Sequence, residues 1–243
     1  MASFLPKAAT EREFLMELVK VAERSGLILN RYIRKTPSGY TLTDIEAMIM
    51  ALKNYGLELE PWAQKTAEKV IRKVERQNAA AWKSAAGITL TAGAIADVGA
   101  ALLREQVDLI TSLPRHMAER VQKAALAAMQ SGRRASDLSK AIESATSVEK
   151  WRARLIARTE IAKANATLTR ARAEAVGVTH YIWKTVGDNR VRWAHEIMDD
   201  EICTFGEPPY IEGEGYHHPG EFPNCRCWAE PIFTEKSAKN ESS

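Results

Sequence analysis

Apolar residues recur every three or four positions along most of the first 176 residues, the spacing of one face of a helix. Thr10-Glu11-Arg12-Glu13 has the capping-box form and opens a helix with Phe14, Leu15, Leu18, Val19 and Ala22 on one side. Ser25-Gly26 interrupts it, and Leu27, Ile28, Tyr32 and Ile33 carry it on to Thr36, before the Pro37-Ser38-Gly39 turn. A second capping box, Thr43-Asp44-Ile45-Glu46, opens a short helix that Gly56 ends. A third helix runs from Glu60 to Trp82 with Ala63, Ala67, Val70 and Val74 in a stripe. Residues 79–103 are dominated by small side chains, which fits close helix packing, an oligomer contact or poor order equally well. The next helix spans Leu102 to Leu113 and stops at Pro114, which lacks an amide hydrogen for the ladder. Met117, Val121, Ala124, Leu126 and Met129 mark another, closed by Ser131-Gly132. Ser136 caps a short helix to Ser144, and the longest runs from Val148 to Val176, ending at Gly177. Its apolar positions include Trp151, Leu155, Ile156, Ile161 and Leu168; Arg152, Arg154, Arg158, Lys163, Arg170 and Arg172 lie on the other face.

The period changes at Thr179. Residues 180–186 are aromatic and β-branched and end at Gly187, so they predict a strand. Gly187-Asp188-Asn189 is a turn, Arg190 to Met198 a short helix, and residues 199–224 a loop with little regular structure. Cys225 to Ile232 is a candidate second strand that pairs with the first. The fold class is therefore mainly α, a multi-helix N-terminal and middle region followed by a small α+β C-terminal module. The expected divisions are a helical docking region at 1–100, a helical middle at 101–177, the module at 178–234 and a frayed polar tail at 235–243.

Composition adds exclusions. With 45% hydrophobic and 27% charged residues the chain is an ordinary globular one. Its first residues lack the basic and apolar segments of a secretory signal, and its most apolar stretch, 87–103, is too short and polar to span a bilayer. No membrane association is expected. The net charge of +3 conceals a basic middle, +6 over residues 101–175, and an acidic end, −7 over residues 188–243. Such asymmetry fits contact with nucleic acid or mutual attraction of the two segments, although dispersed Lys and Arg on helices are ordinarily a solvated face.

Residues 186–233 hold all three cysteines, three of the five histidines and five of the nine prolines. Cys225 and Cys227 lie two apart, so on extended backbone both sulfurs face one side. A disulfide between them would be strained, whereas one zinc accepts both; His195 with His217 or His218 would complete a tetrahedral set. His195, His218, Cys225 and Cys227 are the candidate ligands of a structural zinc. The competing reading is a metal-free network in which these groups cap, stack and hydrogen-bond. Three clustered cysteines make no disulfide framework, which points to a reducing compartment. Catalytic readings find less support. His195-Glu196 lacks the second histidine of a zinc peptidase, position 199 being Asp199, and nothing marks an oxyanion hole beside Cys203. Arg190 and Arg192 are placed to fork onto Asp188, Asp199 or Asp200 and lock the turn. Arg158 and Glu160 are candidates for docking the long helix onto the module.

The order of motifs resembles the phage Mu F-like minor head proteins. It rests on Leu155-Ile156-Ala157-Arg158-Thr159-Glu160, Tyr181-Ile182-Trp183, Asp188-x-Arg190-Val191-Arg192-x-x-His195, His218-Pro219-Gly220 and Asn224-Cys225-Arg226-Cys227, within roughly residues 102 to 233. The resemblance implies a non-enzymatic virion protein at the portal vertex or capsid interior. It would act in head morphogenesis and in DNA packaging or ejection, with portal or major capsid protein as partner, packaged DNA as a further contact and no small-molecule substrate. Many members of the family have Cys-x-x-Cys where this chain has Arg192-Trp193-Ala194-His195. A metal-dependent hydrolase, a nuclease or peptidase using the His/Cys cluster, stands as the alternative.

Overall fold

The computed structural model describes residues 4–37, 39–89, 96–131 and 135–233. Its elements, in order, are α1 (Ala8–Asn30), β1 (Ile33–Thr36), β2 (Gly39–Leu42), α2 (Ile45–Glu58), α3 (Glu60–Ala86), α4 (Ala96–Ser131), α5 (Ala135–Val176), β3 (His180–Lys184), α6 (Trp193–Glu196), β4 (Ile202–Thr204), β5 (Tyr210–Ile211), β6 (Gly215–Tyr216) and β7 (Trp228–Pro231). The mainly α class with a small α+β C-terminal module is what the chain adopts. It packs as two compact units, one of Met1–Arg12, Glu68–Leu103 and Arg158–Ser243, the other of Glu13–Ala67 and Arg104–Ala157.

In the second of these, Ile28, Leu29, Met48, Leu52, Met117, Val121 and Ile142 form a core. Helix α1 does not break at Ser25-Gly26. A Cβ on Gly26 would lie 2.2 Å from Thr146 Oγ1, so this glycine permits close helix approach rather than ending a helix. The expected continuation to Thr36 is a hairpin instead, with Ile33 opposite Leu42 and Thr36 opposite Gly39. Ile33, Thr36 and Thr41 are β-branched, and the apolar spacing that mimicked a helix face was local coincidence. Ser139 Oγ accepts from Tyr40 N (2.6 Å) and donates to Tyr40 O (3.1 Å), pinning β2 to α5. The N-cap of α2 is Asp44, whose carboxylate accepts from Ala47 N, while Thr43 donates to Tyr32 O. Thr10 likewise lies inside α1, not at its cap, and pairs with Gln77.

Pro114 does not stop its helix, for α4 runs through it. Proline in a helix interior costs about 3 kcal/mol. Ile110, Leu113, Met117 and Val121, all fully buried, carry one apolar face across it. At roughly 1.5–3 kcal/mol for each such side chain, burial exceeds the penalty. Thr111 and Ser112 hydroxyls donate to Val107 O (3.0 Å) and Leu109 O (2.7 Å) in the turn before the proline. The two expected helices 136–144 and 148–176 are one, α5, because no glycine or proline separates them.

The first unit is built around Trp82, Tyr181 and Trp183, each at most 1% exposed. β3 lies between β4 and β7, antiparallel to both, with Tyr181 opposite Cys203 and Trp183 opposite Ala229. The loop read as lacking regular structure holds β4 and the β5–β6 hairpin, and it buries Cys203, Phe205 and Ile211 in this core. The same unit holds a buried polar node. Asn78 Nδ2 donates to Asn165 Oδ1 (2.9 Å) and Thr169 Oγ1 (2.7 Å), and Asn78 Oδ1 accepts from the buried Arg172 (2.6 Å). Asn165 in turn donates to Phe4 O (2.7 Å).

Candidate metal centre

Local backbone bonds aim the site. Asp188 closes the turn after β3, accepting from Arg190 N through Oδ1 (3.0 Å) and from Val191 N through its carbonyl (3.0 Å). That turn leads into α6, a single helical turn, shorter than the expected 190–198. The turn carries His195 inward, 1% exposed, edge-on to Trp183 at 5.6 Å. From the other side the chain enters β7 with Cys225 and Cys227, each 2% exposed. Their sulfurs converge on one imidazole nitrogen: His195 Nδ1 is 3.3 Å from Cys227 Sγ and 3.5 Å from Cys225 Sγ. The three donor atoms lie within 4.8 Å of one another.

The opposite nitrogen has a different partner. His195 Nε2 donates to Glu214 Oε2 (2.7 Å), which also accepts from His217 Nε2 (3.1 Å). Arg192 reaches Glu214 Oε1 (3.2 Å), donates to Pro223 O (2.7 Å) and covers the Phe222 ring at 4.9 Å. These contacts set the charge. The Cys227 thiol, hydrogen-bonded to Cys225, holds the Cys225 pKa down to about 4 against the effect of burial, with His195 assisting. Cys227 is pushed well above the thiol range by that same bond and by burial. Burial alone would lower the His195 pKa, but Cys225 and Glu214 outweigh it and the net shift is upward. Burial would raise Glu214; His195 outweighs it and the net shift is downward.

The structure therefore brings His195, Cys225 and Cys227 together and places His218 elsewhere. His218 Nδ1 faces the Tyr181 hydroxyl at 3.0 Å, and burial lowers its pKa. Of the proposed network, Asp188 and Arg190 pair at 2.9 Å. Arg226 adds a two-pronged bond to the same carboxylate. Hydrogen bonds from Arg226 and Arg190 hold Asp188 well below the usual carboxylate range. Asp199 accepts from Thr185 N (2.7 Å) and Asp200 from Lys184 (2.6 Å), so neither serves Arg190 or Arg192. Arg158 does join α5 to the Cys-x-Cys segment. Its guanidinium donates to Asn224 Oδ1 (2.9 Å) and to Glu11 (3.2 Å), while Asn224 N donates to Thr159 Oγ1 (3.0 Å). Glu160 is buried, 4% exposed. Glu214 and Arg226 escaped the sequence reading as partners, while His217, named there as an alternative to His218, turns to Glu214. Only Arg226, between the two cysteines, carried a signal by position.

The loop before the cysteines is clamped to α5. Gly220 has φ +91°, and a Cβ there would lie 3.2 Å from Ala162 O and Ala166 Cβ and 3.4 Å from Cys227 O. Asn224, with φ 61°, is the left-handed residue that turns the chain into Cys225. Glu221 accepts from His218 N (2.9 Å) and from Arg170 of α5 (3.2 Å).

Residues 119–230 match the family described as Phage Mu protein F like protein, the resemblance read from the motifs. The chain is also similar, 36% identical over 142 residues, to an uncharacterized protein of Haemophilus influenzae. That match covers 58% of this chain and 31% of the relative, so the chain spans about a third of that relative's length. No solved structure matches. Among the described residues no helix is long and apolar enough to cross a membrane.

Proposed function

We propose that this chain, whose residues 119–230 are phage Mu F-like, is a structural minor head protein of a bacteriophage. It works at the portal vertex or capsid interior during head morphogenesis and DNA packaging or ejection. The family match carries the reading, because the family is one of phage head-related proteins and its segment includes every residue of the His/Cys knot. The helical region contacts portal or major capsid protein, and the basic stretch, +6 over residues 101–175, contacts packaged DNA through its phosphates.

In this reading the knot is fixed by zinc. Two thiols and an imidazole facing one another in a buried site are the donor chemistry that selects this ion. His195 Nδ1, Cys225 Sγ and Cys227 Sγ would hold it, and it would supply cross-linking, not turnover. A three-donor set is also how a hydrolytic zinc is held, which is the case for the hydrolase alternative. Burial favours the structural role, since a substrate must reach the ion and all three ligands are at most 2% exposed.

The test is to purify particles made by the phage or prophage encoding this chain, identify the protein by mass spectrometry and place it by cryo-electron microscopy. Presence in heads at low copy number is expected; abundance in host lysate with absence from particles overturns the proposal. Elemental analysis of purified protein tests the metal, with one zinc per chain expected, lost in C225S and C227S and retained in H218A.

A further inference from the structure

Glu214 belongs to no thiol site, yet it is only 11% exposed and its carboxylate bonds to His195 of the knot and to Arg192 and His217 beside it. It sits in the turn between β5 and β6, where its amide donates to Ile211 O (3.1 Å). Oε1 receives Arg192, and Oε2 receives both His195 Nε2 and His217 Nε2. His217 is itself oriented by the bond from its Nδ1 to His218 O (3.2 Å). At neutral pH a carboxylate offers no proton, so the hydrogen between Glu214 and His195 resides on Nε2. A neutral imidazole with hydrogen on Nε2 has its free lone pair on Nδ1, the nitrogen that faces both sulfurs.

We infer that Glu214 is a positioning residue that locks the His195 ring and its tautomer, so that a thiophilic cation is taken through Nδ1 and never through Nε2. This rests on the zinc reading above and adds to it the means by which an isolated histidine becomes a ligand of fixed direction. The charges agree: Arg192 offsets Glu214, and loss of the thiol protons on binding would leave two thiolates to neutralise a divalent ion. Because Glu214 lies on the hairpin turn, the same bond ties the β5–β6 ribbon to the knot.

Two measurements decide it. In protein loaded with an NMR-active cadmium isotope, scalar coupling from the metal should appear at His195 Nδ1, with the hydrogen retained on Nε2. In competition with a chromophoric chelator, E214Q should bind zinc about 10–100-fold more weakly than wild type, and E214D, whose carboxylate is retracted by one carbon, should lie between them. Coupling at Nε2, or E214Q affinity within about twofold of wild type, overturns the inference while leaving the zinc site standing. Wild type that binds neither metal overturns the zinc reading and this inference with it. If E214Q does not fold, the cadmium spectrum of the wild type decides alone.

Discussion

Replacing Gly220 by alanine tests how closely the cysteine-bearing loop is pressed onto α5. Two costs arise. The first is conformational: φ of +91° lies where side chains are disfavoured, at about 1–2 kcal/mol. The second is steric. The new Cβ would stand 3.2 Å from Ala162 O, 3.2 Å from Ala166 Cβ and 3.4 Å from Cys227 O. Two of these neighbours are backbone atoms that cannot rotate away, so overpacking of roughly 1–3 kcal/mol is added. The total is about 2–5 kcal/mol. Gly213 supplies the control, with φ of +77° and nothing within 4 Å of its Cβ position, so G213A should lose only the first part. Urea denaturation followed by tryptophan fluorescence and circular dichroism measures both. With a slope of about 1–3 kcal/mol per molar urea, an extra kilocalorie moves the midpoint by roughly half a molar. Equal midpoints for G220A and G213A would refute the close approach, and wild-type behaviour of both would refute the strain argument as well.

Asp188 predicts an acid limb. Its pKa is depressed by the bonds from Arg226 and Arg190, so the ionised form favours the fold above the ordinary carboxylate range, and that favour is lost as pH falls toward the lower folded value. D188N should therefore be less stable than wild type at pH 7, with the gap closing below about pH 4 in denaturation midpoints; a gap constant across that range refutes it. Asn78 should be intolerant of change. N78A strips the acceptor from Arg172, which is 4% exposed and whose pKa burial already lowers, and should cost about 2–4 kcal/mol in the same assay, whereas a neutral outcome would mean the node contributes nothing.

How much of this was legible depended on whether a residue's role is local. β3 could be read because Tyr181, Ile182 and Trp183 are strand formers bounded by a glycine, and the mainly α class followed from apolar spacing. Pro114 misled because its cost is local while the burial that overcomes it belongs to the tertiary core. Gly26 looked like a breaker and is a contact point, a distinction that requires knowing Thr146 is opposite. In the knot, the Cys-x-Cys and the histidine after the Asp/Arg turn drew attention by chemistry alone. Glu214 did not, because one glutamate in an acidic loop is ordinarily solvated, and only the β5–β6 turn carries it to His195. Between adjacent His217 and His218 the sequence offered no physical ground for choice; the hairpin directs one to Glu214 and the other to Tyr181.

The clasp between Tyr40 and Ser139 has a consequence for the order in which the polypeptide acquires its shape. It joins positions 99 residues apart, and closing a loop of that length costs about 4 kcal/mol of chain entropy. The pairing within the little ribbon β1–β2 is local, but its fastening to α5 therefore comes late. On a ribosome it stays unfastened until α5 has emerged, and pulse-labelled hydrogen exchange should find Tyr40 protected in step with Ser139, long after α1 has coiled.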